Sequence, residues 1–261
     1  MRSNINLFGR ILKRDDIMVR YKGIAASKGV ASGSAYILRK IDNHMDKKKP
    51  EGVEKEKIRV EKASVQTQKQ LQILQDKADG IIGEEGAAIF GVHQMMLEDP
   101  EYLAAIYSML DAEVVNAEDA VVAAGKHFAD LFAGMDDEYI KSRSIDITDI
   151  SNRLIMNLRG KGERSIDLPG ETVIITDDLL PSEIMSLYGK NLRAFVIKNG
   201  AVNSHTAILA RLLNIPAVVA VPLEICEIPA GLTIVVDGDS GDVILDPDDE
   251  IITQIRNKVH K

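Results

Sequence analysis

A histidine at the start of a predicted helix is the residue of this sequence best suited to chemistry. In the stretch 203–211, NSHTAILAR, His205 lies between Ser204 and Thr206, and an apolar, helix-forming run follows it. The first turn of a helix favours a bound phosphate through its free N–H groups and positive dipole end. Arg211 is a candidate to supply further positive charge. Because neutral imidazole is a nucleophile near pH 7, His205 could carry a phosphoryl group. The alternative is that His205 only caps the helix, is exposed to solvent and carries no chemistry.

The segments around this histidine have the pattern of an α/β domain. The predicted strands are 172–176, 194–198, 216–221, 232–236 and 243–245. Between them lie helical patterns near 181–189 and 206–213, and the sequence DGDSGD before the last strand predicts a hairpin turn. Four apolar positions of the helix after His205 are expected to pack inward: Ile208, Leu209, Leu212 and Leu213.

The middle of the chain has helical periodicity instead. Seven residues that recur every three or four positions would lie along one face of a helix, and they predict a long first helix. They are Val60, Ala63, Thr67, Leu71, Leu74, Ala78 and Ile81. Further helices are predicted from about Glu84 to Glu98, after Asp99-Pro100, after Asn116, and through Ile147 to Leu158. The core of the helix after Asn116 is expected to include Val121, Ala124, Phe128 and Leu131. Helices joined this closely form an antiparallel bundle.

Strand patterns also precede the helices, at 22–39, so we predict an all-helical domain of four to five helices inserted into an α/β domain, an α+β/α/β fold. The predicted parts are an extension at 1–17, an α/β domain of 18–40 plus 165–247, a helical domain at 41–164, and the start of a linker helix at 248–261. Met18 is the expected natural start.

Composition excludes several classes of function. A net charge of −8 argues against general nucleic-acid binding, and no apolar run is long enough to span a membrane. The single cysteine, Cys226, excludes an internal disulfide and indicates a reducing, cytoplasmic setting. Residues 78–125 contain acidic residues but no Lys or Arg. This charge pattern indicates either a solvated helix face or a docking face for a basic partner.

The segment GAVNSHTAILARLLNIPAVV, at 200–219, resembles the phosphohistidine motif of the phosphoenolpyruvate-utilising enzymes, in which the histidine of an S-H-[TA]-x-x-x-A-R segment takes the phosphoryl group. Other stretches are similar to enzyme I of the sugar phosphotransferase system. They are KGIAASKGVASGSAYIL at 22–38, AIFGVHQMMLEDPEY at 88–102, DDEYIKSRSIDITDISNRL at 136–154 and DDLLPSE at 177–183. The resemblance extends from Met18 to about Pro247, with the stretches in the same order.

The resemblance implies a swivelling α/β phosphohistidine domain and an inserted domain that binds the carrier protein HPr. It implies that His205 is phosphorylated at the tele nitrogen and passes the group to a histidine of HPr. The supporting residues would be Asn203, Ser204, Thr206 and Arg211. Because the family's HPr has a basic face, the docking candidates are Glu84, Glu85, His93, Met96 and Arg143.

Each of the last three docking candidates has an alternative role. Core or rim packing is the alternative for His93 and Met96, although His93 is expected to be exposed rather than buried. For Arg143 the alternative is an ordinary charge on a helix surface.

The sequence departs from the family pattern at two places. Leu180 stands where the family has a threonine whose hydroxyl holds the unphosphorylated histidine, and either Ser182 or Asn203 could substitute for it. Nothing after Pro247 could build the family's C-terminal barrel, which binds phosphoenolpyruvate and Mg²⁺. We therefore expect the amino-terminal half of enzyme I, or a free-standing relative, as a monomer that holds no metal or cofactor of its own.

Two other functions remain open at this point. Leu180 allows a regulatory or non-catalytic module that docks HPr without efficient transfer. The chain could also supply the swivelling histidine domain of a dikinase or phosphoenolpyruvate synthase, although the inserted helices argue against this, because those domains lack them.

Overall fold

The computed structural model describes residues 6–7, 10–11, 19–39, 49–112, 115–162 and 166–253. The chain forms two compact units. The α/β unit comprises Met1–Lys40, Asp167–Leu179 and Leu187–Lys261, and the helical unit comprises Ile41–Ile166 and Leu180–Ser186. The sequence predicts that all of 165–247 belongs to the α/β unit. In the structure Leu180–Ser186 belongs to the helical unit instead. Most of the extension 1–17, the proposed start at Met18 and the end of the predicted linker helix lie outside the described residues.

The α/β unit is built on a mixed sheet of eight strands in the order β3-β10-β9-β5-β6-β7-β8-β4. Its strands are β3 (Val19–Lys22), β4 (Ile24–Ser27), β5 (Val30–Ile37), β6 (Thr172–Thr176), β7 (Leu192–Ile197), β8 (Ala217–Val219), β9 (Thr233–Asp237) and β10 (Asp242–Leu245). Strands β5 to β8 pair in parallel, and the other pairs are antiparallel. Two short strands before the sheet, β1 (Asn6–Leu7) and β2 (Arg10–Ile11), pair with each other.

The parallel strands explain why helices follow β6 and β7 in the chain, because parallel neighbours need crossover connections. Helix α5 (Pro181–Leu187) follows β6 and helix α6 (His205–Leu212) follows β7. Every residue of β6 is buried, as expected for a strand covered on both faces. A short 3₁₀ helix, Ile225–Glu227, precedes β9. The predicted strands of this unit and the predicted helices near 181–189 and 206–213 are confirmed, and β3 adds a strand before them.

The predicted hairpin turn joins β9 to β10. A side chain at Gly238 would place its Cβ 1.9 Å from the carbonyl oxygen of Ser27, so only glycine fits where this turn crosses the chain. The carboxylate of Asp242 accepts a 2.5 Å hydrogen bond from Arg20 and lies 3.2 Å from the ammonium of Lys22. Through these contacts the edge strand β3 is bonded to the hairpin.

The helical unit contains helix α1 (Val53–Leu97), which bends back on itself at Gly83, where φ is 77°. The side-chain amide of Gln94 donates a 2.6 Å hydrogen bond to Gln75, and that of Gln68 a 2.9 Å bond to Glu98, so the two halves of α1 run antiparallel. The predicted first and second helices are thus confirmed as the two arms of α1.

Three more helices complete this unit: α2 (Pro100–Ala112), α3 (Ala117–Ala133) and α4 (Glu138–Leu158). The side chain of Asn116 accepts the N–H of Asp119 and caps α3, as its position before the helix predicts. The buried seam of the first arm agrees with the sequence except at Ile81, which is 38% exposed in the last turn before the bend. Leu131 was expected in the core of α3 and is instead 47% exposed.

Contacts between α1 and α4 fix their relative direction. Arg59 bonds the carbonyl oxygen of Leu158, and Gln70 bonds Asn157 at 3.0 Å. His93, on the returning arm beyond the bend, lies 3.1 Å from Asp146. Later residues of α4 therefore contact earlier residues of the first arm, and α4 begins toward the end of the unit that contains the Gly83 bend.

Candidate phosphohistidine site and partner surface

His205 is the first residue of α6 and is partly buried. Ser204 has extended backbone angles and serves as the N-cap, because its hydroxyl accepts the N–H of Ala207 at 3.2 Å. The carbonyl of Ser204 accepts the N–H of Ile208, which starts the helical ladder. The sequence prediction of a histidine at a helix start is confirmed. Its imidazole stands at the positive end of the helix dipole, where added negative charge is stabilised.

Thr206 is buried and anchors the residue next to the histidine. Its hydroxyl donates a 2.6 Å hydrogen bond to the carbonyl of Leu179, at the end of the segment that follows β6. Thr206 was predicted as a supporting residue from the resemblance alone, and the structure shows a physical means of support: it fixes the backbone at the first turn of α6 against the α/β unit.

Arg211 lies in the last turn of α6, whereas His205 is the first residue of that helix. Its guanidinium donates hydrogen bonds to the carbonyl of Ala26, at 2.8 Å, and to the carbonyl of Val202, at 3.0 Å. The arginine therefore connects the turn before His205 to strand β4. These bonds are a structural role that the sequence analysis, which considered Arg211 only as a source of charge, did not foresee. Asn203 lies exposed in the same turn.

The prediction that all four apolar positions of the helix after His205 pack inward is only half right. Leu209 and Leu213 are buried as expected, but Ile208 and Leu212 are 40% and 44% exposed. The helix contacts β4 and β8, and Ile208 and Leu212 lie on its exposed face.

The segment Leu180–Ser186, described here within the helical unit, has its own set of bonds. The carboxylate of Asp149 accepts the N–H of Ser182 at 2.9 Å and also its hydroxyl proton. The N–H of Leu180 donates to the carboxylate of Glu183 at 2.9 Å. Ser182 is buried, and its single hydroxyl proton is donated to Asp149.

Asp149 belongs to a buried polar network centred on His93. Both side chains of the His93–Asp146 pair are completely buried, with Nε2 of His93 3.1 Å from the carboxylate of Asp146. Nδ1 of His93 lies 4.0 Å from Asp149. The prediction that His93 is exposed was wrong, because the returning arm of α1 turns this ring toward the two carboxylates of α4. A fully buried ring does not contact a partner directly.

Arg143 completes this network at the surface. Its guanidinium donates a 2.9 Å hydrogen bond to Asp146 and lies 4.4 Å from the centre of the Tyr139 ring. Burial acts to lower the pKa of Arg143, but the hydrogen bond and charge of Asp146 outweigh it and raise the pKa above the usual value. Of the predicted docking residues, Arg143 is thus held in place by its own helix.

The remaining docking candidates lie on the returning arm of α1, after the bend at Gly83. Glu84 and Glu85 are exposed directly after Gly83. Met96 is partly buried, whereas its neighbour Met95, which the sequence analysis did not select, is 67% exposed. The sequence pattern alone does not show which of two adjacent methionines faces the solvent. That depends on which face of the helix is packed.

An apolar patch at the corner between α3 and α4 was also missed. It consists of Leu131, Met135, Tyr139 and Ile140, of which Tyr139 is the most exposed at 69%. Large apolar side chains that are clustered and exposed indicate an interaction surface, whereas single ones do not. The corner lies at the start of α4, one turn before Arg143.

No group of three or more His, Cys, Asp and Glu side chains among the described residues is arranged to hold a metal ion. Among the helices that the structure describes, none has the length and apolar character needed to cross a bilayer.

Comparison with known proteins matches both units. The family model "PEP-utilising enzyme, N-terminal" matches residues 22–143, and the model "PEP-utilising enzyme, mobile domain" matches residues 168–241, which include His205. These two matches define a phosphoenolpyruvate-utilising enzyme.

Individual relatives narrow the class. The phosphoenolpyruvate-protein phosphotransferase of Geobacillus stearothermophilus is 38% identical over 237 residues, which are 90% of this chain and 41% of the relative. That of Staphylococcus carnosus is 37% identical over 243 residues, 91% of this chain and 42% of the relative. The chain thus spans about two fifths of the length of these relatives.

Solved structures give the same result. An NMR solution structure of an enzyme I protein has a TM-score of 0.72 and 36% identity, and the match covers 91% of this chain and 97% of that one. A structure titled as the N-terminal domain of a nitrogen enzyme I, at 23% identity and a TM-score of 0.62, shares the fold. The chain belongs to the enzyme I family of phosphoenolpyruvate-protein phosphotransferases and corresponds to its N-terminal part.

Proposed function

We propose that this chain carries a phosphoryl group on His205 and exchanges it with a histidine of the carrier protein HPr, as the first step of a phosphoenolpyruvate-dependent sugar phosphotransferase system. The observation that carries the proposal is the position of His205 as the first residue of α6, capped by Ser204 and anchored through Thr206. The relatives are named as enzymes that transfer phosphate from phosphoenolpyruvate to a protein.

The transfer itself is a direct displacement between two imidazoles. The lone pair on Nε2 of neutral His205 attacks the phosphorus of phospho-HPr, and a new N–P bond forms as the N–P bond to the HPr histidine breaks. The HPr imidazole leaves with the electron pair of that bond, so no oxidant or further reactant is needed. The proton on the other ring nitrogen of His205 stays there, and the positive end of α6 stabilises the added phosphoryl charge.

HPr docking is the proposed role of the helical unit. Residues 78–125 contain no Lys or Arg, and Glu84 and Glu85 are exposed there, which suits a basic partner. The exposed Met95 and the patch of Leu131, Met135, Tyr139 and Ile140 offer apolar contact area. His93 enters this proposal only indirectly, because it holds Asp146, which in turn holds Arg143.

Phosphoenolpyruvate and Mg²⁺ have no proposed site in the described part of this chain. We assign them to the part of the longer relatives with which this chain does not align, where a carboxylate, a phosphate and a divalent ion can be held together. We further propose that the chain acts in the cytoplasm and is a monomer.

A test starts from purified chain and phospho-HPr. The chain should acquire phosphate that is labile in acid and stable in base, and His205→Ala, with an unchanged circular dichroism spectrum, should acquire none. Phosphoenolpyruvate with Mg²⁺ is the comparison donor and should leave the 261-residue chain unmodified. A chain that binds phospho-HPr but takes no phosphate would contradict the proposal.

That outcome would favour a second function, an HPr-docking regulatory module. Its supporting observation is Leu180, whose side chain cannot donate a hydrogen bond at the position where the family resemblance places a threonine. A dikinase domain is not favoured, because the chain has the helical unit and matches an enzyme I structure along nearly its whole length.

A further inference from the structure

A small cavity in the helical unit is lined by residues of α4 and of the segment Leu180–Ser186. Its volume is about 60 Å³, which is room for about four atoms of the size of a water oxygen. The wall is mainly apolar and includes Met156, Ile166 and Leu180, and its polar part includes Arg153. An apolar wall with a few polar groups is the usual composition of a small-molecule site. We call this space the α4 cavity.

Arg153 brings an uncompensated positive charge to the α4 cavity. Its guanidinium donates a 3.2 Å hydrogen bond to the side-chain oxygen of Gln70, which is neutral and buried. Nε of Arg153 is buried and has no hydrogen-bond partner among the described residues, and none of them forms an ion pair with this side chain. A buried N–H group without a partner is unfavourable, and more so on a charged group. The cavity therefore favours a ligand that accepts this hydrogen bond and carries negative charge.

Two carboxylates in the same wall limit the charge of that ligand. Both are hydrogen-bonded elsewhere, because Asp149 accepts the N–H and the hydroxyl proton of Ser182, and Glu183 accepts the N–H of Leu180. Their negative charges would repel a dianion such as phosphate more strongly than a monoanion. A carboxylate has a single charge, and its two oxygens match the planar N–H groups of a guanidinium. It is the anion that suits this cavity.

We infer that the α4 cavity binds a small monocarboxylate of about two to four carbon atoms. The carboxylate accepts the Nε–H of Arg153, and the hydrocarbon part lies against Met156, Ile166 and Leu180. Because the ligand contacts α4 and the segment Leu180–Ser186 together, its binding stabilises the helical unit. Binding at this cavity involves neither His205 nor phosphate transfer, so its test is separate from that of the proposed function.

The test uses propionate as the probe and propionamide, which has nearly the same shape and no charge, as its matched control. In ¹H–¹⁵N NMR spectra of the full chain, propionate should shift the Nε–H signal of Arg153 and the backbone signals of Leu180–Ser186. The shifts should saturate with a Kd of about 1 mM, a reasonable affinity for a ligand of about five non-hydrogen atoms. Propionamide and inorganic phosphate should each bind at least about tenfold more weakly, because one lacks the charge and the other meets the two carboxylates.

Three variants locate the binding. Arg153→Gln should weaken propionate binding at least about tenfold, whereas Arg193→Gln, at an exposed arginine of the α/β unit, should leave the Kd unchanged. Met156→Ala enlarges the apolar part of the cavity and should shift the preference from propionate to the longer pentanoate. This shift in preference is measured with Arg153 intact, so it tests the site even if Arg153→Gln does not fold.

Several results would overturn the inference. They are equal affinities for propionate and propionamide, phosphate binding tighter than propionate, shifts that do not saturate, and shifts confined to residues outside the cavity wall. A folded Arg153→Gln variant, with the melting temperature of the parent and the parent's Kd for propionate, would overturn it as well.

Discussion

The hydroxyl of Thr206 donates a 2.6 Å hydrogen bond to the carbonyl oxygen of Leu179. This bond links the residue that follows His205 to the segment that leaves β6. Because Thr206 is buried, the bond is shielded from water, and it holds the first turn of α6 in one place whether or not a partner is bound. The imidazole of His205 therefore starts from a fixed backbone, which would lower the entropic cost of the proposed transfer.

Removal of this bond should weaken both stability and transfer. Thr206→Val keeps the shape but leaves the buried Leu179 carbonyl unpaired, which should cost about 1–3 kcal/mol of the free energy of unfolding. The rate of phosphate uptake from phospho-HPr should fall as well. Thr206→Ser, which retains the hydroxyl, is the matched control. Equal uptake rates for the valine and serine variants would show that the bond does not position His205.

The buried network of the helical unit should be sensitive to loss of its histidine. His93→Leu removes one of the hydrogen-bond partners of Asp146, which keeps Arg143, and brings an apolar side chain against the buried Asp146 and Asp149. Loss of a hydrogen bond to a buried polar group costs about 1–3 kcal/mol. Urea denaturation should report this loss, while His127→Leu, at an exposed histidine of α3, should change the free energy of unfolding by about 0.5 kcal/mol or less. Equal stability of the two variants would contradict the network's role.

Stability at low pH should depend on Asp242. The hydrogen bond from Arg20 is the main cause that holds the pKa of this buried carboxyl well below its usual range, against the opposing effect of burial. A lowered pKa in the folded state adds stability above the unfolded-state value of about 3.9, and this stability is lost as the pH falls through the range below it.

The measurement is the free energy of unfolding between pH 7 and acid. The parent should lose stability more steeply below about pH 4 than Asp242→Asn, which is less stable at neutral pH but lacks this titration. Asp136→Asn, at an exposed aspartate, serves as the control and should follow the parent curve. Parallel curves for the parent and Asp242→Asn would contradict the assignment.

Charge reversal should slow the encounter with HPr. Glu84→Lys/Glu85→Lys should lower the association rate about tenfold at low salt, since electrostatic steering acts mainly on that rate. Added salt should reduce the difference, because charges more than a Debye length apart are screened. Glu61→Lys, an exposed glutamate on the first arm of α1, carries the same type of change and should have a smaller effect. Stopped-flow association across a salt series measures both, and unchanged rates would place the interface elsewhere.

The sequence predicts the elements of this fold well because their signals are local. The cap at Asn116, the start of a new helix near Glu84 and the histidine at the start of α6 all follow from residue types next to one another. What it does not predict is which side of an apolar helix is covered. Ile208, Leu212 and Leu131 have the same periodicity as buried neighbours, and only the position of the packed element decides that they are exposed.

The same limit explains the errors at the candidate site. His93 was expected on the surface because its partners, Asp146 and Asp149, lie more than fifty positions later in the chain. Arg211 was considered for its charge because its acceptor on β4, the carbonyl of Ala26, is 185 positions away. Contacts between distant segments are tertiary information that no local pattern contains.

The central claim is that His205 alone accepts the phosphoryl group. Its most direct test is tandem mass spectrometry, at alkaline pH, of the chain after incubation with phospho-HPr, with ¹⁵N NMR to identify the modified ring nitrogen. The account predicts one phosphoryl group per chain, on Nε2 of His205, and none on His205→Ala. Phosphate located on His44, His93, His127 or His260, or retained by the His205→Ala variant, would contradict it.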